Sequence, residues 1–315
     1  MPARPFAGWY VSCFTRPVIH EVPELAQALG VALIGELDAT LDVVADEAED
    51  AANRVHSARK HLKRWRALFR LLPKSTRVAL RREAHISQMV ARKLGRVRDS
   101  VARLETWRQF VIDADLVDGA HVVSELLEAN CAQEAAPSRM SDRLAQAGRA
   151  LRRVRQTASK ALAVKPAHAE TGSAELASRC GDTYARGRRA LRAALECPDE
   201  RKLHALRRAS KAHQYQLQFL EPAWPKPLKA QRSEVSELTE LLGSHRDLYA
   251  VLGLLGKQAS DGQLGCVLRL EARIAELQRA AFRAARLIYA ERPAAFQRRI
   301  TRYIKPHSWA NADAA

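Results

Sequence analysis

The side chains in this 315-residue chain that could do chemistry are cations at a helical spacing. Between Asn53 and Leu72, His56, Arg59, Lys63, Arg66 and Arg70 recur every three or four residues, so on a helix they form one stripe. Lys60 and Arg64 widen it. Val55, Ala58, Leu62, Trp65, Phe69 and Leu72 fall on another side. The apolar side needs a core, and the cationic side needs an anion. A guanidinium fork holds two oxygens at once, an ammonium adds a point charge, and an imidazole adds a donor whose charge depends on pH.

A basic stripe is usually solvated surface. Here the acidic partners that accompany such surfaces are missing from Asn53–Leu72. Like charges on successive turns repel by a few tenths of a kcal/mol per pair, about 0.2–0.5. The pattern also recurs: His204, Arg207, Arg208 and Lys211 stand 148 residues after His56, Arg59, Lys60 and Lys63. A second block repeats with the same offset of 148. Gly95, Arg98 and Asp99 in LGRVRDSVARL match Gly243, Arg246 and Asp247 in LGSHRDLYAVL. Two motifs sharing one offset indicate an internal duplication.

Other chemistries leave no trace. There is no GxxxxGK[ST] loop, no strand–GxGxxG–helix unit, no HExxH and no GxSxG elbow. Glu47, Glu49 and Asp50 could be metal-binding carboxylates, but an acidic helix start explains them more simply. Asp99 and Asp247 could be general bases, or could pair with a neighbouring arginine. With no nucleophile–base arrangement, catalysis has no support.

The elements that must position the stripes are helices. Apolar positions follow the helical period, and no window alternates in the strand manner. Helices are expected at about 23–44, 46–72, from a cap at Ser75 or Thr76 to 94 with Gly95 as its stop, and from near Asp99 to 113. More follow at 116–131, 138–164, 173–196, 200–220 capped by Asp199, 228–242, 245–257 and 263–290. Residues 1–20 read as a loose arm, 21–164 as a first helical half, 165–173 as a linker, 174–290 as a second half and 291–315 as a short helix and tail.

Lys plus Arg total 52 against 35 Asp plus Glu, a net +17, which calls for an anionic partner: nucleic acid, a membrane surface or a polyphosphate. Aromatic residues are only 6%, too few for a platform on which bases stack. A hydrophobic content of 47% supports a substantial core. The five cysteines are widely spaced with no CxxC, which reads as reduced thiols rather than a disulfide framework or zinc site. No stretch is apolar enough to span a membrane.

The H-x-x-R-x-x-x-[KR]-R-x-R pattern at 56–66, the LGxxRD pattern at 94–99 and their second copies resemble the CHAD domain, the conserved histidine α-helical domain, over about 21–290. The resemblance implies an all-α fold of two four-helix-bundle-like halves around a pseudo-twofold, with a central basic groove that binds inorganic polyphosphate. Carried onto this chain, the site is His56, Arg59, Lys60, Lys63, Arg64, Arg66, Arg70 and Arg98, with His204, Arg207, Arg208, Lys211 and Arg246. Ala212 stands where the first copy has Arg64, and Gln214 and Gln218 also depart from the pattern, so the second half is expected to bring fewer charges. No ExExK triphosphatase motif is present. A stand-alone member is expected to be a binder, not an enzyme, with no cofactor, located in the cytoplasm at polyphosphate granules. A helical nucleic-acid-binding protein is the competing reading. If His56 and His204 take up protons with the anion, affinity should rise as pH falls from about 8 to 6.

Overall fold

The computed structural model describes residues 22–114, 116, 120–134, 137–163, 169–255 and 264–304. The expected arm at 1–20 lies outside them, as do residue 164, 165–168 of the expected linker and the chain beyond 304. All regular structure among the described residues is helical: α1 Val22–Ala45, α2 Ala51–Phe69, α3 Lys74–Ala79, α4 Arg81–Lys93, α5 Gly95–Asp113 and α6 Ala120–Glu134. After these come α7 Pro137–Ala163, α8 Ala169–Glu196, α9 Glu200–Leu220, α10 Pro225–Leu255, α11 Leu264–Ile288 and α12 Pro293–Ile304, with a 3-10 turn at Glu221–Ala223.

Local chemistry sets most helix starts. Asp50 caps α2, accepting from the Ala52 and Asn53 amides at 2.8 and 3.2 Å, and Glu49 accepts from the Asn53 amide group. The acidic run before the stripe is therefore a capping device. Asp199 caps α9 through the Lys202 amide at 2.8 Å. Neither Ser75 nor Thr76 is a cap. Pro73 precedes the first turn of α3, and the expected single helix breaks at Leu80, whose side chain turns into the core. α8 begins inside the span read as a linker, at Ala169.

Two glycines break the expected pattern. Gly95 opens α5 rather than ending the helix before it, and Gly243 lies inside a single α10 where two helices were expected. Glycine costs a helix interior about 1 kcal/mol relative to alanine, so something else must hold these positions.

The halves do not have separate cores. Leu33 and Leu37 of α1, Leu62 and Trp65 of α2, Leu151 of α7, Tyr184 of α8, Leu206 of α9 and Phe296 of α12 belong to one buried cluster. A second cluster joins Trp107 and Phe110 of α5 and Val123 of α6 to Val251 of α10 and Leu270 of α11. Each core draws on both halves of the chain. α12 is part of the main core, with Phe296 and Ile300 fully buried. Four cysteines among the described residues, Cys131, Cys180, Cys197 and Cys266, are free thiols.

Candidate functional site

The two basic helices pack against each other. At their crossing, Ala67 of α2 meets Ala212 and Tyr215 of α9, and the buried Gln216 side chain donates to the Ala67 carbonyl at 2.9 Å. Small residues there let the backbones approach. Ala212 is thus a contact residue, and its lack of charge reflects packing.

Around the crossing the stripes share one electrostatic field. Lys63 of α2 feels Arg207 and Lys211 of α9, its own neighbour Arg59, and Asp99 of α5. Burial, then Arg59 and Arg207, push the Lys63 ammonium down to about 7. Lys211 feels Lys60 and Arg64 of α2, Arg207, and Glu240 of α10. Burial and Arg207 lower it to about 8. Its Nζ donates to Thr239 Oγ1 at 3.2 Å and lies 5.6 Å from the Tyr215 ring centre.

The glycines of the repeated block now have a reason. A Cβ on Gly95 would stand 3.0 Å from Arg59 Nη1, and a Cβ on Gly243 would stand 3.0 Å from Arg207 Nη2. Each glycine makes room for the arginine 36 positions before it. Arg59 uses the approach to donate to the carbonyls of Leu94, at 3.4 Å, and of Gly95. It also reaches Asp99 at 3.4 Å. Arg207 is mostly buried, and burial followed by Arg246 lowers its pKa. Its Nε has no hydrogen-bond partner among the described residues.

Asp99 and Asp247 pair with arginine: Arg246 lies 2.7 Å from Asp247 and 3.5 Å from Asp99. Asp247 is in the middle of α10, away from any helix start. The Arg98 side chain lies outside the described residues.

Arg64 takes a different direction. Its Nη1 lies 3.8 Å from Glu36 on α1, a buried carboxylate that also meets His61 Nδ1 at 2.6 Å. Arg64 thus ties α2 to α1 as well as bordering Lys211. His56 is exposed and Lys60 half-buried. His204 is exposed too, yet partial desolvation and the fields of Arg208, Arg246 and Arg207 lower its pKa below the usual imidazole value.

Farther along α2, burial lowers the pKa values of Arg66 and Arg70, that of Arg70 to about 10. The charges acting on them come from Arg208 of α9, Arg92 of α4 and Arg186 of α8, all positive. Arg92 and Arg186 were missed in the sequence. They lie outside both repeated blocks, and only helix packing brings them to the stripe. Among the described residues no group of three metal-ligating side chains occurs, and no helix is long and apolar enough to cross a membrane.

A family model for the CHAD domain matches residues 6–256. A search of solved structures returns the crystal structure of the CHAD domain from the plant Ricinus communis, with TM-score 0.57 and 16% identity, covering 91% of this chain and 97% of that one. At that identity the likeness speaks for the fold. No curated protein matches.

Proposed function

Because this chain belongs to the CHAD domain family, we propose that it binds inorganic polyphosphate, without acting on it chemically, in a basic groove between α2 and α9. On this reading the two stripes are copies about a pseudo-twofold, and binding carries the protein to polyphosphate granules. The observation that carries the reading is the concentration of cations at the crossing. Lys63 lies among Arg59, Arg207 and Lys211, with Asp99 acting against them. A fold that places these cations together in a half-buried site is relieved by an anion brought from outside. A phosphate polymer suits it, having dense charge and no bases to stack, in a chain with few aromatic rings.

The test is a calorimetric titration with long-chain polyphosphate at several salt concentrations. Log affinity should fall steeply and linearly with log salt, as counterions are released from the polymer. Duplex DNA at matched phosphate concentration should compete poorly. Equal competition would favour the nucleic-acid reading.

A further inference from the structure

We infer, resting on the polyphosphate reading, that the polymer leaves the Lys63–Lys211 centre in one direction only. The end it follows is built by Arg66, Arg70, Arg92, Arg186 and Arg208, with Arg92 and Arg186 as ligand-holding residues. Four helices supply this end: α2 gives Arg66 and, at its C-cap, Arg70, α4 gives Arg92, α8 gives Arg186 and α9 gives Arg208. Arg92, Arg186 and Arg208 are exposed, and Arg66 and Arg70 are half-buried. Among the described residues no carboxylate pairs with Arg66, Arg70, Arg92 or Arg208. Arg186 Nε donates only to its own helix, at the Asp182 carbonyl 3.3 Å away. One and more turns back on α8, Glu175 and Asp182 pair with Arg179 at 2.8 and 3.9 Å.

The positions 148 residues away build a different end. Gln214 stands for Arg66, Gln218 for Arg70 and Glu240 for Arg92. Gln214 is buried and accepts from Thr239 Oγ1 at 3.5 Å. Glu240 is exposed on α10, accepts from Ser236 at 3.0 Å and acts on Lys211. A polyanion is drawn by the arginine end and repelled by the glutamate at the other. Guanidinium forks suit a tract of repeating phosphate oxygens, where each fork can take two.

The experiment is titration with long-chain polyphosphate of the full chain, the double variant R92A/R186A, the variant E240A, and a charge-matched control, R153A/R273A. Arg92, Arg186, Glu240 and Arg153 are exposed and Arg273 is half-buried on the surface of α11, so each variant should keep the wild-type circular dichroism spectrum. R92A/R186A should bind at least tenfold more weakly, with a slope of log affinity against log salt shallower by about 1.5, two contacts' worth. E240A should bind as tightly as the wild type or more tightly, and the control should stay within twofold of it. Wild-type affinity in R92A/R186A, or an equal loss in the control, overturns this inference alone. A wild-type chain that fails to bind overturns it together with the polyphosphate reading.

Discussion

Arg246 of α10 reaches Asp99 of α5, Nη2 lying 3.5 Å from Oδ1, while it holds its own neighbour Asp247 at 2.7 Å. Arg59 of α2 approaches the same Asp99 oxygen at 3.4 Å. One carboxylate thus gathers guanidiniums from both repeated blocks, and it is an anion that the chain itself supplies to the stripe. In Asp99→Asn, Arg59 and Arg246 lose an internal competitor for phosphate. Polyphosphate affinity should rise two- to fivefold. Stability should fall by less than about 1 kcal/mol, because Asp99 is 40% exposed and exposed pairs contribute little. Titration and thermal unfolding of the same sample check both.

The lowered lysines set the pH behaviour. At pH 8 to 9 the unfolded chain protonates Lys63, while in the free folded state Lys63, at about 7, stays mostly neutral. Stability of the free protein from this group therefore rises with pH between about 7 and the ordinary lysine value of 10.5. A bound polyanion restores the charge, so binding takes up protons, and affinity should rise as pH falls from about 9 to 7. Calorimetry at pH 8 in buffers of different ionisation heat should show net uptake. Lys63→Met should reduce that uptake, and Lys63→Arg should abolish the Lys63 share while keeping affinity.

His204 governs a lower window. Its pKa in the free protein lies below the usual 6.5, so the affinity it adds should appear as pH falls through and below that value. The expected histidine effect between pH 8 and 6 is therefore overlaid, in its upper part, by the lysines. His204→Gln should flatten the affinity curve below pH 6.5 and leave the upper limb unchanged.

Ala212→Arg restores the residue type found at Arg64 in the first block, and should nevertheless harm the protein. Ala212 is buried against Ala67 and Tyr215 where α2 and α9 cross. An arginine there should cost more than about 2 kcal/mol by overpacking and burial of charge. Thermal unfolding should show the loss, and titration should show no gain in affinity.

Gly187→Ala tests the packing behind Arg186. A methyl at Gly187 would overlap the ring of Tyr289, which is buried beside Tyr184 and hydrogen-bonded to Ser210 at 2.9 Å. The cost should be about 2–3 kcal/mol. Unfolding should move down by several degrees.

Much of this was legible in the sequence because it is periodic. Val55, Ala58, Leu62 and Trp65 are buried as their spacing demands, and Asp199 caps α9. What misled was glycine. Gly95 and Gly243 read as breakers, but each clears space for an arginine far away in sequence, a relation no local rule encodes. Arg64 reads as part of the stripe and borders Lys211, but its tie to Glu36 of α1 has no local signal. Arg92 and Arg186 carry no local signal, since a basic residue on an exposed helix face looks the same whether it faces water or another cation.

α12 completes the main core by packing on α8, with Phe296 and Ile300 buried and the Phe296 ring stacked on Tyr184 of α8 and edge-on to His213 of α9. A nascent chain leaving the ribosome cannot complete that core until nearly its last described helix has emerged. During synthesis α1 and α2 must hold Leu33, Leu37 and Trp65 unsealed until α7, α8 and α9 follow, which makes them natural clients for chaperones that recognise apolar segments.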